Sequence, residues 1–411
     1  MSLAEQRWLR LFTLCALFFA QGIPWGFFAI TLPGHLSDRG LELAALGSVQ
    51  AMSYWPYVFK WAGGPLIDLV AIPRLGRRRP WIVFAQGMMA VTVLAMVAID
   101  DVAAQLDFLL ALVLVHTSFN ALQNVATDAL AIDLLDPRER GRANGFMYGS
   151  KWAGGMVGGF GLSFVLGHWG FHAAVLVQAI LLGAVLAVPL LVRERASGPP
   201  PEPSKPREVW AVLRRVYAMR SPWLAALMML VMTISTGMLS VVAARLYVYE
   251  LHWKQEDYGF LVGGVGLFFG FVGSTVAGFF ADWVGHRRLA AIASVLLGVG
   301  WVVFALREQW WHVHAFIYAL AILEPTAQAI MIVAMWSVCM AVSVKKTAAT
   351  QFAAYTSLTS LSQIIGARLL APHVHDWWSY SGIYLAAAAF QIAIIAILPF
   401  IDAQQVRRIP E

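Results

Sequence analysis

The sequence is short of charge and of cysteine. Charged residues make up 13% of its 411 residues, against about 25% in ordinary soluble domains. Hydrophobic residues make up 60%, so the composition excludes an ordinary soluble protein. The two cysteines, Cys15 and Cys339, lie inside apolar runs, which favours packing roles over a disulfide or a shared metal site.

The sequence also lacks the motifs of common catalytic sites. It has no nucleotide-binding G-x-x-x-x-G-K-S/T loop, no cluster of metal ligands and no Ser–His–Asp set on a soluble segment. We therefore expect neither an enzyme nor a bound cofactor. If the protein moves a solute, the energy has to come from an ion or solute gradient.

Long apolar runs fill the chain instead. A helix needs about 20 apolar residues to cross a bilayer, and twelve such segments can be placed. The sequence predicts an all-α membrane protein with twelve transmembrane helices, at 8–33, 42–66, 81–99, 107–133, 143–168, 171–193, 222–246, 258–280, 289–307, 313–343, 350–372 and 379–401.

The basic residues divide unevenly between the loops. Of the 29 Lys and Arg, 22 fall on the side that would hold the N-terminus, and Arg39, Lys254 and Arg307 fall on the other. Because basic loops stay in the cytoplasm, both termini are predicted to be cytoplasmic. The net charge of +6 then reflects topology in an inner (cytoplasmic) membrane. It does not indicate a nucleic-acid partner.

A proline-rich segment divides the chain. RERASGPPPEPSKPREVW, at 193–210, is typical of an extended linker. The predicted organisation is an N-terminal half of six helices (1–193), a cytoplasmic linker (194–221) and a C-terminal half of six helices (222–411).

A loop motif occurs once in each predicted half. Gly64 to Asp68 and Gly278 to Asp282 share one spacing, and each pair precedes a basic cluster. The loops are interpreted either as gates, whose contacts form in one conformation and break in another, or as anchors of solvated charge. The motif resembles the G-x-L-x-D-R-x-G-R-R loop of the major facilitator superfamily, which implies parallel repeats of six helices and a monomer. The candidate gating residues are Gly64, Asp68, Arg77, Arg78, Gly278, Asp282, Gly285 and Arg287.

Three ionisable residues of the first half are predicted to share one depth. Lys60 precedes Asp68 by eight residues, and Asp128 precedes Asp136 by eight, which is about 12 Å of helix in each case. Lys151 lies at a similar depth from the start of the fifth span. Together the three charges offset one another. The cluster is either a functional site or a purely structural set of ion pairs.

Other polar residues lie in apolar spans. Gln21 and Trp25 are one turn apart in AQGIPWGFF, where Gly22 and Pro24 disturb the helix. Glu324 is interpreted either as a coupling carboxylate that exchanges protons or as half of a permanent ion pair. The candidate residues for substrate binding and coupling are Lys60, Asp128, Lys151, Asn124, Glu324, Gln328, Gln21 and Trp25.

A narrower resemblance is carried by four strings: YVFKWAGGPLID, the QN-x-x-x-D segment ending in DPRERG, GSKWAG at 149–154 and ATQFAAYTSL at 349–358. They are similar to AmpG-type permeases, a family that includes muropeptide importers. The resemblance implies that Lys60, Asp128 and Lys151 match that family's buried lysine, helix-4 acid and helix-5 basic residue. The family commonly has Gln-Asp where this chain has Gln123-Asn124.

The leading hypothesis is a proton-coupled symporter that imports an anionic or amphipathic small solute, such as a muropeptide, by alternating access. Its expected partners are that solute, protons and the lipid bilayer. The alternatives are a siderophore permease of the same family, an exporter, and a non-transporting sensor built on a transporter fold.

Overall fold

The computed structural model describes Leu3, Ile67 and residues 5–62, 78–135, 140–193, 214–343 and 348–402. Within these ranges the chain is helical apart from short connections, and no strand is formed. Nine helical stretches of the described chain are long and apolar enough to cross a membrane. The predicted all-α, multi-pass membrane class is therefore confirmed.

The helices begin and end as follows. Five π-helical segments, Phe27–Thr31, Val157–Gly161, Arg245–Glu250, Gly259–Gly266 and Ile365–Leu370, continue neighbouring α-helices. The α-helices are α1 (Arg7–Gly26), α2 (Leu32–Asp38), α3 (Leu43–Val58), α4 (Arg79–Ala95), α5 (Leu106–Leu134), α6 (Arg140–Met156), α7 (Leu162–Leu191), α8 (Arg220–Met232), α9 (Ile234–Ala244), α10 (Gln255–Tyr258), α11 (Leu267–Val284), α12 (His286–Leu306), α13 (His314–Ala341), α14 (Ala348–Ile364) and α15 (Ala371–Ile397).

Two of the long stretches are broken inside. Phe146–Leu191 has 46 residues, or about 69 Å of helix, more than twice the ~30 Å hydrocarbon core. It breaks at Gly170, whose φ of 83° is left-handed and favours glycine. Gln351–Phe400 breaks in the same way at Ser379, with φ 63°. The first break falls between the predicted spans 143–168 and 171–193, and the second falls on the first residue of the predicted span 379–401. An apolar chain this long has to turn back at the membrane surface.

The chain forms two compact units. One contains residues 1–200 and 247–267, and the other contains residues 201–246 and 268–411. The short α10 and the π-helical segment after it thus belong with the first unit, although the sequence places them in the second predicted half. The division into halves at a linker stays a prediction.

Helices α1 and α6 are in backbone contact inside the first unit. A Cβ atom on Gly22 would overlap the carbonyl of Lys151, and one on Gly158 would overlap the carbonyl of Ile23. Only glycine allows this separation. The contact brings the middle of α1, with its polar residues, against the part of α6 that carries Lys151.

Candidate solute-binding site

Lys60 and Asp128 form an ion pair. Lys60 lies two residues beyond the end of α3, and its Nζ is 3.5 Å from Oδ2 of Asp128 on α5. The two side chains keep 26% and 38% of their surface exposed. The pair is therefore partly exposed, in contrast to an ion pair enclosed in a packed core.

Lys151 on α6 completes the charged cluster. Its ammonium group interacts electrostatically with both Lys60 and Asp128. The phenol groups of Tyr57 and Tyr148 interact with the same carboxylate. One acid thus lies among two bases, so the three ionised groups carry one net positive charge. Such a cluster attracts an anion.

A chain of four carboxamides lies next to the cluster and crosses four helices. Asn124 donates to Gln21 (2.9 Å), and Gln21 donates to Gln123 (2.7 Å). Gln123 donates to Gln86 (3.3 Å), which donates to the carbonyl of Leu182 on α7 (3.0 Å). Sequence reasoning singled out Gln21 and Asn124 but not Gln86 or Gln123. A glutamine inside an apolar span was the available signal, since a buried amide needs a partner.

Aromatic rings line the same region. The rings of Trp25 and Trp152 meet edge to face, with centroids 5.6 Å apart. The side chain of Tyr54 interacts with that of Trp25. Trp25 and Trp152 are both half-buried, so part of each side chain stays exposed.

A mainly apolar cleft of about 350 Å³ opens beside Lys60 between α3 and α5. Ligand pockets are commonly about 300–1,000 Å³, so the cleft can hold part of a small molecule. Its lining pairs one cation with apolar and aromatic side chains: Trp55, Pro56, Phe59, Lys60, Leu114, Ser118, Ala121, Leu122 and Val125.

In the second unit, the acid that sequence analysis singled out is Glu324. The carboxyl of Glu324 on α13 interacts with the buried indole N–H of Trp301, at a geometry short of a full hydrogen bond. Gln328, one turn further on, is half-buried. Among the described side chains, Glu324 has no basic partner within ion-pair distance.

The predicted gating residues are described only in part. Arg78 Nε lies 3.0 Å from Oδ2 of Asp133 at the end of α5, a partner that sequence reasoning missed. Gly285 has φ 89° directly before α12, and Arg287 is exposed. Gly64, Asp68 and Arg77 lie outside the described residues; Gly278 and Asp282 lie in α11, but their side chains are not described.

The comparison with protein families shows to which superfamily the chain belongs. The model of the Major Facilitator Superfamily matches residues 14–367. The chain belongs to the Major Facilitator Superfamily. The protein is therefore a transporter and not an enzyme, as its family and structural neighbours are transporters.

Individual relatives refine this superfamily assignment. Anhydromuropeptide permease of Escherichia coli K12 is 22% identical over 406 residues, which cover 96% of this chain and 82% of the relative. A Rickettsia conorii protein named as a transporter, AmpG 4, is also 22% identical, over 96% of this chain and 97% of its own. The resemblance to AmpG-type permeases is confirmed. A POT family transporter solved with 5-aminolevulinic acid shares the fold, with a TM-score of 0.73, 12% identity and coverage of 98% and 97%.

Proposed function

We propose that this transporter is a proton-coupled symporter. It imports an anionic or amphipathic solute, such as a peptidoglycan fragment, across the inner membrane by alternating access. It acts as a monomer of twelve transmembrane helices with both termini in the cytoplasm. The observation that carries the proposal is the half-exposed cluster of Lys60, Asp128 and Lys151, with its single excess positive charge.

Solute binding follows from exchange at the ion pair. In the empty site Asp128 neutralises Lys60, which lowers the cost of holding a cation at membrane depth. An anionic group of the solute takes over Lys60 and interacts with Lys151. The nearby cleft and the rings of Trp25 and Trp152 then accept the apolar or ring-bearing part of the solute.

Proton coupling is assigned to Glu324, with Asp128 as the acid released by the solute. A carboxyl with a buried indole beside it and no basic partner in the described chain is free to exchange a proton. Protonation removes its charge, so the helix that carries it can change environment without carrying an ion through lipid. Gln328 lies one turn away and is assigned to the same surface.

The cytoplasmic loops are assigned as gates. The contact of Arg78 with Asp133 joins the start of α4 to the end of α5. A charged contact of this kind is held in one conformation and released in another. The repeated loop residues Gly64, Asp68, Arg77, Gly278, Asp282, Gly285 and Arg287 are assigned the same role in their respective loops.

Uptake into proteoliposomes tests the proposal. Radiolabelled anhydromuropeptide and an inward proton gradient should give accumulation by the wild-type protein, and Lys60→Ala should reduce it to background. The matched control is Lys254→Ala, which removes an exposed lysine far along the chain and should leave uptake unchanged. Wild-type uptake by Lys60→Ala would contradict the proposal.

The same preparation separates the alternatives. Efflux driven by the gradient would identify an exporter, and no flux of any tested solute would favour a sensor. Accumulation of a labelled ferric siderophore in place of the muropeptide would reassign the substrate while keeping the mechanism.

A further inference from the structure

We infer that Gln86, Gln123 and Gln21 form a relay of fixed polarity that positions Asn124 to accept a hydrogen bond from the solute. The role toward a solute rests on the proposed transport function. The polarity of the hydrogen bonds does not, because it follows from the protein alone.

The polarity is set at the far end of the relay. The carbonyl of Leu182 only accepts hydrogen bonds, so Gln86 must use its Nε2 there. Its Oε1 is then the atom that faces Gln123, and Gln123 must donate to it with Nε2. One backbone carbonyl on α7 therefore determines the orientation of two side-chain amides on α4 and α5.

The hydrogen bonds keep the same direction along the rest of the relay, towards the charged cluster. Gln123 has only Oε1 left, which accepts from Nε2 of Gln21. Gln21 then has only Oε1 left, which accepts from Nδ2 of Asn124. Each amide oxygen and nitrogen of the relay is engaged except Oδ1 of Asn124, for which the described chain supplies no donor.

The free oxygen lies at the charged cluster. Asn124 precedes Asp128 by one helical turn on α5, so both belong to the same face of that helix. The relay thus presents a neutral acceptor about 6 Å along the helix from the acid that pairs with Lys60. The fitting solute carries an anionic group and, next to it, a hydroxyl or amide N–H.

The variant Asn124→Asp tests the polarity of the hydrogen bonds in the relay. An ionised carboxylate accepts but cannot donate, so Gln21 would have to turn its Nε2 towards it. Every later amide would then reverse, and Oε1 of Gln86 would face the carbonyl of Leu182, oxygen against oxygen. Asn124→Asp should therefore hold a proton on its carboxyl at neutral pH, because the ionised form would leave two oxygens facing each other.

Infrared spectroscopy of the purified protein tests this without any solute. After subtraction of the wild-type spectrum, Asn124→Asp should show the C=O stretch of a protonated carboxyl at neutral pH. Asn124→Asp combined with Gln86→Leu should lose that band, because the relay is then free to reverse. A missing band in the single variant, or an equal band in both, would overturn the fixed polarity.

A second variant covers the case in which Asn124→Asp does not fold. Gln86→Glu asks the same question at the anchored end, since only a protonated Glu can donate to the carbonyl of Leu182. It should show the protonated C=O band at neutral pH, and an ionised carboxylate there would overturn the relay.

Transport kinetics test the positioning role. Gln86 does not touch the solute in this assignment, so Gln86→Leu should raise the KM for labelled anhydromuropeptide about fivefold with an unchanged maximal rate. The control is Gln178→Leu on α7, a fully buried glutamine whose amide makes no hydrogen bond, and its KM should stay at the wild-type value. Equal KM values for the two variants would overturn the positioning role. If the wild-type protein does not carry this probe, the peptidoglycan fragment fails as the proposed substrate, while the infrared result still decides the polarity.

Discussion

The two units of the molecule share a way of packing but not a chemistry. In the first, Gly158 on the π-helical continuation of α6 meets the carbonyl of Ile23 on α1. In the second, Gly366 after α14 meets the carbonyl of Ile234 on α9 in the same manner. Each unit thus contains one close helix contact made through a glycine, α1 with the continuation of α6 and α9 with the continuation of α14.

The polar groups carried by the two scaffolds differ. Among the described residues of the first unit, two lysines and one acid form a cluster beside the carboxamide relay. Those of the second include Glu324, which has no basic partner within ion-pair distance, and neutral hydrogen bonds such as Gln363 to Thr236 (3.1 Å) and Gln391 to Ser294 (3.1 Å). Close packing depends only on small residues at the contact, so the side chains on other faces are free to differ. This difference is the basis on which we propose anion binding by the first unit and proton exchange by the second.

The largest effect should come from the shared packing. Gly158→Ala and Gly366→Ala each force a Cβ into a backbone carbonyl, which should cost about 2–3 kcal/mol of stability in either unit. Thermal melting in detergent should show both losses. Gly183→Ala is the control, since its Cβ meets nothing within 4 Å. A loss of stability for only one of the two variants would show that the units do not share this way of packing.

The second-largest effect should distinguish Asp128 in the first unit from Glu324 in the second. Asp128→Asn leaves Lys60 and Lys151 without a counter-charge, so uptake should fall to background and the melting temperature should drop. Glu324→Gln removes no ion pair, so it should melt like the wild type but lose its response to the proton gradient. Asp107→Asn, at an exposed site, is the control. Gradient-driven accumulation by Glu324→Gln would remove the proposed division of roles.

A smaller effect should distinguish Trp25 in the first unit from Trp301 in the second. Trp25→Ala removes half-exposed ring surface beside the charged cluster and should raise the KM of a ring-bearing solute about tenfold, while Trp25→Phe recovers most of it. Trp301→Phe, fully buried beside Glu324, should leave KM unchanged and alter the dependence on the proton gradient. Equal changes in KM would argue against a solute site confined to the first unit.

The smallest effect should come from the cytoplasmic loops. Asp133→Asn breaks the contact with Arg78, and partly exposed ion pairs contribute about 1 kcal/mol or less. Transport should slow by about twofold, as measured by initial uptake rates. Arg287→Ala, at an exposed site in the second unit, should change the rate less. A larger decrease in uptake rate for Arg287→Ala than for Asp133→Asn would reverse the ranking of the two loops.

The position of the three charged residues could be predicted from the geometry of the individual helices. Helical rise and the direction of each span place Lys60, Asp128 and Lys151 at one depth, and the structure brings them together. Their function stays a prediction. The partner of Arg78 was not predictable, because Asp133 and Asp136 lie on the same stretch and only packing between α4 and α5 selects Asp133.

The membrane-spanning helical class could be predicted from the amino-acid sequence, because a backbone in lipid has to satisfy its hydrogen bonds within each span, and that requirement is local. The repeated loop also pointed to the superfamily, which the family match confirmed. The carboxamide relay and its direction depend instead on how the helices pack. Gln21 and Gln123 are 102 residues apart, and a hydrogen bond between such distant amides exists only once α1, α4, α5 and α7 have packed together.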